Sequence, residues 1–250
     1  MLSCRQILVF VQESIATLAN SSPEKGLKLY LDASLTADKF ATIAKKGEDE
    51  TDYAPISYEL LTQAIGLYEE LISDGRIQYR CIIALSGTLL TLQSVNKEDY
   101  ESLITKTAQF SAKILRKQDQ CQLVALCAHL FYPVGSGIKI TYNNPQRALE
   151  CLQRSLKLAD ACTSMNPAHI NLFVDLLEHY VFFFGKKNPL ITHAYVTGLV
   201  ALIQEHLSNL NALESDGEAK AQFLEVIRYI KHRKADADVA ELFSQIQTGA

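Results

Sequence analysis

The sequence has no tryptophan, and its 11 glycines and 6 prolines are few for 250 residues. That scarcity argues against collagen-like, low-complexity and turn-dense β architectures. Charge of either sign is not in excess: 24 basic and 28 acidic residues leave a net charge of −4, which gives no electrostatic case for nucleic acid. The cysteines, Cys4, Cys81, Cys121, Cys127, Cys151 and Cys162, form no C-x-x-C pair and mostly fall in apolar helical stretches. Buried, reduced thiols in a reducing compartment are therefore expected, not a disulfide framework. No apolar run is long: the most apolar, Cys81–Leu92, is too short to span a bilayer and carries Ser86 and Thr88. Gln12 and Glu13 break the first apolar run and no cleavage pattern follows, so no secretory signal is expected.

Catalytic constellations are missing too. The histidines, His129, His169, His179, His193, His206 and His232, include no H-E-x-x-H, and none has a carboxylate three residues before it as di-iron bundles require. Gly135-Ser136-Gly137 lacks the further glycine and the lysine of a phosphate loop. Asp175 and His179, four apart, read as a polar pair on one helix face. No catalytic, cofactor-binding or metal residue is assigned, and the chain is not expected to be an enzyme.

What is present is helical periodicity. Ile7, Phe10, Val11, Ile15 and Leu18 recur at helical spacing, and Ser22-Pro23 then caps and begins a second helix that runs to about Lys46. The acidic segment Gly47–Asp52 reads as a solvated loop. A third helix starts near Pro55, Ser73-Asp74-Gly75 turns the chain with Gly75 as a left-handed closing residue, and a fourth covers Arg76–Leu92. Asn96 caps a fifth, with Glu98, Asp99 and Glu101 in its first turn and Lys113, Arg116 and Lys117 at its end, both signs favoured by the helix dipole. Pro133–Asn144 reads as an irregular loop. Asn144-Pro145, Asn166-Pro167 and Asn188-Pro189 then recur every 22 residues, each an Asn cap before a Pro at a first helical turn. A ninth helix is expected over Pro189–Asn211 and a tenth over Glu218–Lys234.

Ten helices joined by short turns give about five antiparallel pairs with a period of about 40–50 residues, the range of HEAT-like stacking. The expected fold is an all-α, HEAT-like α-solenoid over 1–234, with 235–250 a short terminal helix or a frayed tail. A tetratricopeptide- or coat-like adaptor that binds peptides in its groove is the competing reading. A stack cut at an internal pair leaves an uncapped apolar face, so self-association is expected.

The sixth helix, Gln118–Tyr132, is the candidate site. Leu123, Leu126, Cys127, Leu130 and Phe131 form its buried stripe, and His129 lies roughly 140° away at about 100° per residue. His129 shares that side with Gln122, Ala125 and Tyr132, a surface neither charged nor greasy, suited either to a partner or to cover by a neighbouring repeat. Five successive apolar residues, Tyr180–Phe184, pass all round a helix, so at least one ring is expected at a groove. The basic run Arg228–Lys234 reads as a dipole-complementing helix end.

Ser57–Gln78, Ile114–Tyr132 and Leu149–Cys162 carry a family likeness, with Asp119-Gln120 and Cys127-Ala128-His129-Leu130-Phe131 its most specific combination. The chain resembles the C-terminal region of the vacuolar protein sorting-associated protein 35 family, the α-solenoid subunit of retromer. Gln118 stands where the family often has Pro and Tyr132 where it often has Trp. The resemblance implies a non-enzymatic scaffold, cytoplasmic and peripheral on endosomes, for endosome-to-Golgi and plasma-membrane cargo retrieval. It implies vacuolar protein sorting-associated protein 29, the metallophosphoesterase-fold subunit, as partner, recruitment of the WASH complex, and indirect membrane association. The arrestin-like subunit would be reached only through an N-terminal part not in this chain. His129, Leu130 and Phe131 match the family region that receives the phosphoesterase-like subunit. With Tyr132, Tyr180 and Phe183 they are the expected partner-binding residues.

Overall fold

The computed structural model describes residues 3–44, 52–134, 142–209 and 217–248. The loop expected at 47–52 lies outside them except for Asp52, as do 135–141, with Gly135-Ser136-Gly137, and 210–216. Among the described residues there are eleven α-helices, one 3-10 turn and no strand: α1 (Cys4–Ala19), α2 (Pro23–Ala44), α3 (Ala54–Leu71), α4 (Gly75–Thr91), α5 (Lys97–Lys113), α6 (Lys117–Phe131), α7 (Pro145–Met165), the 3-10 turn (Pro167–Ile170), α8 (Asn171–Gly185), α9 (His193–Asn209), α10 (Gly217–Ala235) and α11 (Ala240–Ser244). The fold is all-α, and consecutive helices double back on one another as in a solenoid. They fall into two compact units, the first from α1–α5 and the end of α6 from His129, the second from the body of α6 to Ala128 with α7–α11.

In the first unit, the turns after α1 and α3 are three residues long, so α2 and α4 must return along their predecessors. The apolar stripes meet in a core of Leu60, Leu61, Ile82, Leu85, Leu89 and Ile104, each 1% exposed or less. Glu24 on α2 ties down α4 through Arg80 at 2.8 Å and its own helix through Lys28 at 2.9 Å. These cations hold its carboxyl well below the usual range, at about 2, with the Arg80 bond the larger cause. Buried Asp38 of α2 accepts the N–H groups of Gln93 and Ser94 and the Ser94 hydroxyl, fixing the connection from α4 to α5.

In the second unit, Cys121 of α6 and Ser155 of α7 exchange bonds: the thiol donates to the Ser155 carbonyl at 3.3 Å and the Ser155 hydroxyl to the Cys121 carbonyl at 3.0 Å. The described residues of the C-terminal segment pack within this unit. Phe243 and Ile246 are buried, Lys234 donates to the Ile246 carbonyl, and Gln247 N–H donates to the Thr197 hydroxyl.

Three turn expectations change. Gly75 does not close a helix; it opens α4, whose N-cap is Asp74, accepting the N–H groups of Arg76 and Ile77. Of the three Asn-Pro steps only Asn144-Pro145 begins an α-helix, Asn144 accepting from Arg147 N–H. Asn166 caps the 3-10 turn, and Asn188 accepts from Leu190 N–H in a tight turn, so α9 starts at His193 and not at Pro189. Lys187, with φ of 58°, adopts the left-handed conformation that ends α8, a role glycine usually fills.

Candidate partner-binding site

The expected partner residues sit in different units. His129, Leu130, Phe131 and Tyr132 end α6 in the first unit, and Tyr180 and Phe183 lie on α8 in the second. Within the first unit the end of α6 is anchored by Tyr100, whose hydroxyl donates to the Leu130 carbonyl at 3.2 Å. Burial pushes the Tyr100 phenol far up, so it stays a neutral donor at any physiological pH.

Leu130 is fully buried, Phe131 is 1% exposed and Tyr132 is 7% exposed. Tyr180 and Phe183 are fully buried as well. Leu130 and Phe131 are buried as their place on the apolar stripe requires; Tyr132, Tyr180 and Phe183, candidates for a partner surface, are core in this chain too, because α6 and α8 are covered nearly all round. Ala125, placed on the outer side with His129, is also buried, whereas Leu126, placed on the buried stripe, is half-buried. His129 alone of the six candidates is half-buried. The accessible ring of the aromatic block is Phe182, under the Lys186 ammonium at 5.9 Å.

In the second unit α6 shows a half-buried line through Gln118, Gln122 and Leu126, four residues apart, which is one helix face. Its polar members are held by neighbouring elements. Gln118 Nε2 meets His169 Nε2 at 3.1 Å, and Gln122 donates to Asp175 Oδ2 at 3.1 Å. Asp175 also accepts from Gln222 of α10 at 3.0 Å, and the same Gln222 amide reaches Glu178. One carboxylate on α8 thus joins α6 and α10. Burial pushes the His179 imidazole, one turn on, below its usual range, and Asp175 partly offsets this.

Sequence reading missed Asp38 and the three-helix role of Asp175, since each looks like an ordinary helical acid until its distant partners are known. All six cysteines are free, four of them buried. Burial raises Cys121 and Cys151 to about 12, so neither is a thiolate nucleophile at neutral pH. No group of His, Cys, Asp and Glu among the described residues has a metal-holding arrangement, and no described helix is long and apolar enough to cross a membrane.

These features define an all-α protein of stacked helical repeats. A sequence model of the family described as vacuolar protein sorting-associated protein 35 matches residues 1–206, and the chain belongs to that family. It is 33% identical over 209 residues to vacuolar protein sorting-associated protein 35 of Schizosaccharomyces pombe, covering 82% of this chain and 24% of the relative. With vacuolar protein sorting-associated protein 35B of Arabidopsis thaliana it shares 33% identity over 238 residues, 92% of this chain and 28% of the relative. The Dictyostelium discoideum relative is 29% identical over 200 residues, 80% of this chain and 24% of the relative. The chain therefore spans about a quarter of the length of these relatives.

Proposed function

We propose that this chain is a non-enzymatic scaffold segment of retromer, acting on the cytoplasmic side of endosomes in cargo retrieval toward the Golgi and plasma membrane. Its direct partner is the metallophosphoesterase-fold subunit, vacuolar protein sorting-associated protein 29, and its membrane association is indirect. Recruitment of the WASH complex belongs to the assembled scaffold, and contact with the arrestin-like subunit belongs to family sequence outside this chain. The observation that supports the site is half-buried His129 at the end of α6 in the first unit. Phe131 and Tyr132 support this edge from beneath, and Tyr180 and Phe183 stiffen α8, so their part in binding is to hold helices in place.

The test is a calorimetric titration of the 250-residue chain with purified phosphoesterase-fold subunit, repeated with His129→Arg. The reading expects tight binding by the parent and a loss of at least tenfold in the variant, with circular dichroism and melting temperature unchanged. No binding by a well-folded parent overturns the partner; equal binding by both proteins overturns the site.

A further inference from the structure

The second unit holds a pocket for an aromatic ring, and the chain fills it with its own segment. Residues of α8 and α10 surround the Phe243 ring. Phe184 of α8 meets it edge-on with centroids 5.3 Å apart, and Tyr229 of α10 meets it edge-on at 6.5 Å. The Arg233 guanidinium lies 5.7 Å from its centroid, within reach of cation–π attraction. At Gly185 there is no side chain: a Cβ there would stand 3.3 Å from Phe243 Cζ, so the ring rests on bare α8 backbone. Ile246, three residues on, is 1% exposed. Side chains of the body hold the backbone around these two anchors. Lys234 donates to the Ile246 carbonyl at 2.6 Å, Gln204 of α9 donates to the Thr248 carbonyl at 3.1 Å, and Gln247 N–H donates to the Thr197 hydroxyl at 3.1 Å. Arg233 pairs with Asp236 at 2.7 Å where the segment enters.

We propose that this groove is a docking site for a short segment of a partner protein, and that residues 236–248 occupy it in cis. The partner segment carries a phenylalanine, an isoleucine or leucine three residues later, and an acidic residue ahead of them that reaches Arg233. The occupant seen in the structure selects that chemistry. Its two anchors stand at the spacing by which helical peptides seat in grooves, and its main chain bonds to side chains of the host. The ring pocket takes an aromatic because Gly185 leaves it open. Charge agrees: the segment holds Asp236, Asp238 and Glu241 and no basic residue, and α10 ends in His232, Arg233 and Lys234. The segment is also built to leave. Helix α11 has five residues, too few to persist as a helix without the groove. Of residues 236–248 only Phe243 and Ile246 are buried, little burial against the cost of ordering the whole segment. Segment and partner exclude one another, so the partner's apparent affinity falls with the fraction of chains in which the groove is filled. The inference does not depend on the partner assigned to His129.

Fluorescence anisotropy of a labelled peptide of residues 236–248 tests this. The peptide is added to the 250-residue chain and to its double variant Phe243→Ala with Ile246→Ala, which empties the groove in cis. It is expected to bind the double variant at least tenfold more tightly than the parent. A peptide with both anchors changed to alanine binds neither protein. Gly185→Leu, added to the double variant, fills the ring pocket and lowers binding at least tenfold. Equal binding to parent and double variant overturns occupancy in cis. No binding to a double variant that keeps its helical circular dichroism overturns the site. Hydrogen exchange of the parent gives the answer if the double variant does not fold. Amides of Phe243 and Ile246 that exchange at least tenfold faster than those of Leu176 and Val200 support a segment that opens while the body stays folded. Equal protection makes the segment fixed core and overturns the proposal.

Discussion

The carboxylate of Asp38 accepts both the Ser94 hydroxyl, at 2.6 Å, and the Ser94 N–H, at 2.8 Å, across 56 residues of chain. With Gln93 N–H at 3.0 Å it satisfies backbone donors left over where α4 has ended and α5 has not begun. Asp38 is 3% exposed, so water cannot replace it. Asp38→Ala should cost about 3 kcal/mol, the scale of buried donors losing a charged acceptor. Asp38→Asn, which keeps one carbonyl oxygen, should cost less. Thermal or urea unfolding of the three proteins gives the order; equal stability of Asp38→Ala and the parent would refute the clamp.

Helices were readable because burial follows period. The stripe residues Leu123, Cys127, Leu130 and Phe131 are all buried, and Asn96 and Asn144 cap as their positions require. The site was less readable. A wheel separates two sides of α6 but cannot say that a neighbour covers the second, which is why Ala125 and Tyr132 are core while Gln122 and His129 are half-buried. Asn188-Pro189 looked identical to Asn144-Pro145 in sequence. The left-handed Lys187 before it redirects the chain into a turn, a conformation that composition does not announce.

The neighbourhood of Asp175 makes stability depend on pH. Asp175, one turn before His179 on the same helix, acts on its imidazole, and the Gln222 amide from α10 holds both Asp175 and Glu178. Burial lowers the folded pKa of His179, so near pH 6 the unfolded chain binds a proton that the folded chain does not. The stabilisation is complete above the unfolded value of about 6.5 and is lost as pH falls below it. Melting temperature should therefore drop between pH 7.5 and 5.5, and His179→Gln should flatten that drop. A parent with no slope across this window would contradict the burial effect.

Tyr180 and Phe183 separate packing from polarity on one helix. Both are fully buried, Tyr180 stacks on Tyr195 with centroids 5.5 Å apart, and the Tyr180 hydroxyl has no hydrogen-bond partner among the described residues. Removing an unsatisfied hydroxyl while keeping the ring relieves a desolvation cost, so Tyr180→Phe should stabilise by about 1 kcal/mol. Phe183→Ala leaves a cavity and should destabilise by about 3–5 kcal/mol. Denaturant midpoints at constant slope read both. A destabilised Tyr180→Phe would mean that the hydroxyl does find a partner in solution.

Gly26 records how closely α1 and α2 approach. A Cβ built there would stand 2.8 Å from Ala19 Cβ and 2.9 Å from Ala19 Cα, closer than such atoms come in folded proteins. Alanine normally favours a helix over glycine by about 1 kcal/mol. Here the obstacle includes backbone, which cannot rotate aside, so the hairpin must open. Gly26→Ala should therefore destabilise the chain by about 1–3 kcal/mol. Changing Ala19 to glycine alone removes buried contact and a good helix former, and should also destabilise. The double variant exchanges which helix carries the methyl group, so its loss should be smaller than the sum of the two singles. Additive losses in that cycle would show that the helices are not in contact at this point; a positive coupling of about 1 kcal/mol would confirm the close crossing.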